Sequence, residues 1–184
     1  MIFSSITFLY YFLPSVLILY LIAPKKLKNY VLLLSSLIFY GWGEPKYILL
    51  ILLSIVINYL LGLLIERGEG TKRAKLWLSC SVIFSLGMIG YFKYADFFIE
   101  NFNTVTGLSL PALKIALPIG ISFYTFQILS YTIDVYYKRI PAQKNLAYLA
   151  TYVVLFPQLI AGPIVRYIDI SVPVFFYNKH QLYS

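Results

Sequence analysis

The chain has 184 residues, 60% of them hydrophobic and only 12% charged, with a formal net charge of +8. That composition lies far outside the range of a soluble domain, and the apolar residues come in blocks rather than alternating with polar ones. The excess of positive charge falls between the blocks, so it points to membrane topology and contact with anionic lipid rather than to a nucleic-acid surface.

Charge-free runs cover Met1–Ala23, Asn29–Gly43, Tyr47–Ile65, Leu76–Phe92, Ile115–Ile133 and Asn145–Val165. A bilayer core takes about 20 residues of helix, with roughly 17 to 25 workable. Four runs fit that range comfortably, Leu76–Phe92 lies at its edge, and Asn29–Gly43 is short. The expected fold is an all-α, polytopic transmembrane bundle of about six hydrophobic helices, some short or broken.

The first run contains Pro14 near its middle, which predicts a kink. It has no basic region before it and no A-x-A-like cleavage site, so an anchor is expected rather than a removed signal peptide. Lys25, Lys26 and Lys28 follow it. The second run closes on FYGWGEPKY, a short external turn with interfacial aromatics. Asn58, central in the third run, is expected to bond across to another helix.

The connection ERGEGTKRAK carries Arg67, Lys72, Arg73 and Lys75 and suits a cytoplasmic loop. In the fourth run Ser81, Ser85, Gly87 and Gly90 are small residues that permit close helix approach. Cys80 lies there too, alone, and serves as a small apolar residue. The stretch YADFFIENFNTVTGLSLPALK mixes acids, aromatics and turn residues and predicts a short amphipathic segment at the external surface.

The fifth run opens at Leu117-Pro118, with proline expected in the first helical turn. Gln127, Tyr131 and Asp134 follow at i, i+4 and i+7, so they share one face, which should point into the bundle. Asp134 stands one turn from Lys138, and an i, i+4 ion pair is the simplest expectation for it. Lys138, Arg139 and Lys144 then precede the sixth run. Ten cations on these alternate connections face three (Lys46, Lys93, Lys114) on the others, which places the N-terminus outside.

The stretch 155–167, LFPQLIAGPIVRY, carries Pro157, Gln158, Gly162, Pro163 and Arg166 in an apolar setting. Pro157 cannot donate to the carbonyl of Val153, so a helix here must kink or open. Freed backbone at membrane depth is tolerated only inside protein or beside a cavity, and an arginine close behind it faces a partner, a cavity or the interface. Two readings stand: the wall of an internal site or channel, or an ordinary helix end with Arg166 snorkelling to phosphates.

Motifs for nucleotide loops, serine elbows, zinc helices and CxxC pairs are absent. With one His and one Cys, no metal cluster is expected. His180, the lone imidazole, sits in the terminal stretch YNKHQLYS and is not expected to be catalytic.

Two stretches, LPIGISFYTFQILSYTIDVYYKRIPAQKNLAYLATYVVLFPQLIAGPIVRY and SLIFYGWGEPKYILLILLSIVINYLLGLLIE, resemble the membrane-bound O-acyltransferases, in particular the bacterial alginate O-acetyltransferase type. The resemblance runs to about Asp169 and implies the N-terminal part of such a domain over 1–170, with 171–184 a divergent or truncated tail. It implies acyl transfer, acetyl above all, from a cytoplasmic donor such as acetyl-CoA to hydroxyls of an exported or cell-surface polysaccharide, with no bound cofactor. It also implies a multi-pass protein of the bacterial inner membrane working with extracytoplasmic acetylation partners.

In the family the catalytic residue is an intramembrane histidine far downstream, the base that takes the proton of a weakly nucleophilic hydroxyl. His180 does not lie in that context, so a chain of this length is expected to be inactive alone. Gly162, Pro163 and Arg166 match the family's Gly-Pro-Ile-x-Arg stretch; with Gln127, Tyr131, Asp134 and Gln158 they are expected to line or support the reaction tunnel. The alternative is a non-enzymatic membrane protein, an assembly subunit or small transporter, against which stands the lack of an inverted internal repeat.

Overall fold

The apolar runs form helices packed along their length, and their boundaries follow the local chemistry. The structure is a computed structural model that describes residues 5–109, 111–113, 115–161 and 166–169. Among them every regular element is helical.

The first is α1, Leu13–Ile22, entered through a π-helical turn at Phe8–Phe12. Pro14 accounts for that turn: it has no N–H to close the preceding ladder, and the amide of Leu13 reaches back to the Phe8 carbonyl instead. The expected strain at Pro14 is thus absorbed by a wide turn upstream of it. Next come α2, Lys28–Gly43, and α3, Ile48–Arg67, joined by the short turn at 44–47 where the Tyr47 amide donates to the Glu44 carbonyl.

α4 runs from Lys72 to Thr106, 35 residues. At 1.5 Å per residue it is about 52 Å long, well beyond the roughly 30 Å of a bilayer core. The separate surface helix expected after Lys93 is therefore not formed; the fourth run continues through it. Nothing in YADFFIENFNTVT breaks a helix, and the helix ends only where Gly107 takes a left-handed φ of 71° and its amide closes on the Asn103 carbonyl. Asp96 then accepts the Leu113 amide at 2.7 Å, tying the following connection back to the helix.

α5 spans Ile121–Tyr136 and opens three residues later than Pro118 suggests. Gly120 sits at φ 76°, so helical geometry cannot pass through it; Pro118 lies in the preceding turn and supplies the carbonyl for the Ile121 amide. α6, Leu146–Val154, is capped by Asn145, whose Oδ1 accepts the Ala147 amide at 2.9 Å.

The helix expected to open near Pro157 does so at Leu155, where ψ is 110°, and α7, Phe156–Ala161, begins directly after. The break puts Pro157 in the first turn of α7, where a missing N–H costs nothing. Phe156 anchors the new helix among Phe8, Phe12 and Phe39, at centroid distances of 5.6–5.8 Å.

The main core lies between α3, α4, α5 and α6, with α2 against α6. α3 and α4 are each long and apolar enough to cross a bilayer, while α1 with its π turn and α6 with the start of α7 are shorter apolar helices. α2 and α5, at 16 residues each, reach only about 24 Å.

Candidate functional site

α5 carries the most polar buried face of the molecule. Gln127, Tyr131 and Asp134 all have no exposed surface, as their shared register predicts. Gln127 donates from Nε2 to the Tyr152 carbonyl on α6 at 2.8 Å.

Tyr131 accepts the Gln143 amide at 2.9 Å, and its ring lies against α3 at Gly62. A Cβ on Gly62 would stand 3.0 Å from the phenol oxygen and 3.1 Å from Cε1, so the glycine is what lets α3 and α5 approach. Gly87 and Gly90, expected to serve close packing, do not do so among the described residues: a Cβ on either meets nothing there within 4 Å. Ser81 and Ser85 on the same helix are fully buried. The Ser81 hydroxyl sits 2.6 Å from Asn58 Oδ1 and 3.1 Å from Thr132 Oγ1, joining α4 to α3 and α5 and giving Asn58 its expected partner.

Asp134 is the electrostatic centre. Its Oδ1 accepts Arg139 Nη1 at 3.0 Å and Arg166 Nη2 at 2.5 Å, while Oδ2 has no partner among the described residues. The expected Asp134–Lys138 pair is not made. α5 ends at Tyr136 and Lys138 takes a left-handed φ of 59°, so the i, i+4 geometry does not persist; Lys138 turns to Glu69 instead. The same turn carries Arg139 back under Asp134, its amide donating to the Asp134 carbonyl at 2.9 Å. A buried carboxylate costs several kcal/mol unless charge-paired, and the two half-exposed guanidiniums supply that pairing from the solvent side.

The connection 137–145 is laced into this face. Glu66 on α3 accepts the Ala142 amide at 2.9 Å, and Gln143 donates from Nε2 to the Tyr167 hydroxyl at 2.6 Å. The Tyr167 ring packs edge-on between Tyr131 and Tyr152, at 5.2 and 5.0 Å between centroids. Burial pushes the Tyr167 phenol above the ordinary tyrosine range, with the Gln143 amide opposing in part. Arg166 and Tyr167 are thus tied to α5 by an ion pair and an aromatic wedge.

Of the residues singled out from the sequence, Gln127, Tyr131, Asp134 and Arg166 therefore belong to one interlocked assembly, though Gln127 stands two turns from Asp134. Gln158 is buried on α7 with its Nε2 unpartnered among the described residues, and Pro157 is exposed. Gly162, Pro163 and His180 lie outside the described residues.

A cleft of about 570 Å³ opens beside the assembly, walled by Glu66, Glu69, Lys138 and Arg139 with Val135 and Pro141. None of Gln127, Tyr131, Asp134, Gln158 or Arg166 is on its wall. Gly62, Glu66, Gln143 and Tyr167 are members the sequence reading missed; only Tyr167, adjoining Arg166 in the matching stretch, carried a signal. No trio of His, Cys, Asp and Glu that could hold a metal occurs among the described residues.

The chain is 42% identical over 187 residues to a protein of Azotobacter vinelandii named "Probable alginate O-acetylase AlgI", covering 99% of this chain and 37% of that one. It is 43% identical over 175 residues to the protein of the same name from Pseudomonas aeruginosa, covering 92% and 34%. The "Peptidoglycan O-acetyltransferase" of Helicobacter pylori is 33% identical over 196 residues, covering 91% and 37%. The chain thus spans about a third of the length of the curated relatives it matches. No family model and no solved structure matches it.

Proposed function

We propose that this chain, which shares its family with the alginate O-acetylases, forms part of a membrane enzyme that transfers acetyl groups to hydroxyls of an exported or cell-surface polysaccharide. The observation that carries the reading is the similarity over nearly the whole chain to proteins named for O-acetyl transfer to two different glycans. The donor is an activated acetyl group such as acetyl-CoA, delivered from the cytoplasm, and extracytoplasmic acetylation proteins are the expected partners.

In this reading the chain crosses the bacterial inner membrane about six times with its N-terminus outside. Support comes from the placement of the cations. Lys138 pairs with Glu69, and Asn29 Nδ2 donates to the Ala147 carbonyl at 3.4 Å, so the three basic connections gather at one end of the bundle. At the opposite end Tyr47 donates to the Ala116 carbonyl at 2.6 Å.

In this reading the chain supplies framework, and the proton acceptor for the sugar hydroxyl is the histidine that the family resemblance implies elsewhere. In the same reading Gly162, Pro163 and Arg166 support or wall the reaction chamber; the ion pairs of Asp134 with Arg139 and Arg166 are the support for giving Arg166 that role. The 184 residues alone then carry no acetyl transfer.

The test is a chimera in which this chain replaces the matching third of a Pseudomonas alginate O-acetylase. Acetylated alginate from the chimera supports the reading; a chimera that inserts at normal level yet leaves alginate unacetylated counts against it.

A further inference from the structure

Two buried hydroxyls between α3 and α4 stand without a partner, and the register of the two helices brings them together. Asn58 Oδ1 accepts the Ser81 hydroxyl at 2.6 Å, and farther along the pair the Tyr47 and Phe92 rings meet edge-on at 5.9 Å between centroids. Tyr47 precedes Asn58 by as many residues as Phe92 follows Ser81, so the helices run antiparallel in a fixed register. Ser54 lies four residues before Asn58, and Ser85 four residues after Ser81. They therefore face each other one turn from the Asn58–Ser81 bond, toward Tyr47.

Both serines are fully buried, and neither Oγ has a hydrogen-bond partner among the described residues. Such an atom is costly to leave unmet. On α5 the residue at this level is Ile128, four before Thr132, and it offers no polar side-chain atom. Ser79 and Thr104 on α4 turn their hydroxyls to the carbonyl one turn back, at 3.0 and 2.8 Å; Ser54 and Ser85 do not.

We infer that Ser54 and Ser85 hold one water molecule between α3 and α4, within the two helices long enough to cross a bilayer. A buried water typically joins two to four otherwise unpaired polar groups. Room for it follows from the neighbouring level, where asparagine rather than serine faces serine across the same two helices. Serine is two heavy atoms smaller than asparagine, a difference of roughly one water, about 30 Å³ of liquid volume. The inference rests on the packing of α3 and α4 and not on acetyl transfer, so its failure would leave that activity untouched.

The experiment is solid-state NMR of the whole chain in lipid bilayers, reading how fast magnetisation passes from water protons to each side chain. Ser54 and Ser85 should receive it several times faster than Leu149 and Val153, which are equally buried on α6. Ser54→Asn copies the Asn58–Ser81 pair and displaces the water. It should slow the transfer at Ser85 to the rate of the buried references and unfold at no lower temperature than the parent. Ser85→Asn should do the same at Ser54. Transfer to both serines as slow as to the references overturns the inference, since the hydroxyls would then bond each other directly. Fast transfer that persists in a folded asparagine variant also overturns it, as does failure of both variants to fold, which would show that no room exists.

Discussion

Arg166 donates from Nη2 to Asp134 Oδ1 at 2.5 Å, across 32 positions of sequence, and Arg139 meets the same oxygen at 3.0 Å. The acid is fully buried and both guanidiniums are about half exposed. The arrangement is therefore asymmetric: each arginine can be rehydrated if released, but the carboxylate cannot.

That asymmetry sets the cost of removing each partner. Arg166→Ala or Arg139→Ala alone leaves Asp134 one guanidinium and should cost about 1–3 kcal/mol. The double variant strands a buried charge and should cost more than the two together, on the order of 3–5 kcal/mol beyond an isosteric neutral control such as Asp134→Asn. Denaturant unfolding in detergent micelles measures all four; additive single costs would contradict the shared clamp.

Gly62 and Gly87 make a paired prediction. Gly62→Ala places a methyl 3.0 Å from a phenol oxygen that the Gln143 amide already fixes, and should destabilise by about 1–3 kcal/mol. Gly87→Ala meets open space inside a helix and should be neutral or stabilising by up to about 1 kcal/mol. Thermal unfolding of both variants decides the point, and a larger loss at Gly87 would contradict the packing described.

Asn58→Leu removes the acceptor of the Ser81 hydroxyl and the link from α3 to α4. The loss should be about 0.6–1.7 kcal/mol, as for other hydrogen bonds between membrane helices. A double-mutant cycle with Ser81→Ala isolates it; zero coupling energy would show that the amide is not interhelical glue.

Orientation is testable with single cysteines in a Cys80→Ser background. Lys144→Cys should react only with membrane-permeant thiol reagents in intact cells, and Lys46→Cys with impermeant ones as well. The reverse pattern would invert the topology drawn from the cations.

Much of the helical layout was legible because span length and hydropathy are local properties: α2 and α3 fall within one or two residues of their charge-free runs. Asp96 and Glu100 misled the reading of α4, since acids beside aromatics resemble an interfacial segment while leaving helix geometry intact. The partner of Asp134 was misjudged because an i, i+4 pair presumes a helix that in fact stops at Tyr136. Gly62 was invisible for a deeper reason: its contact, Tyr131, is brought to it by tertiary packing that no local spacing encodes. Arg166 could be flagged as an arginine needing a partner, and the fold identified the partner.

The most direct test of the account is acetyl transfer by the chimeric O-acetylase carrying Arg166→Ala in this chain. Alginate acetylation should fall at least tenfold at unchanged protein level, with partial recovery in Arg166→Lys, which keeps the charge but not the fork. Unchanged acetylation would contradict the account, and would leave Arg166 as the end of an ordinary helix.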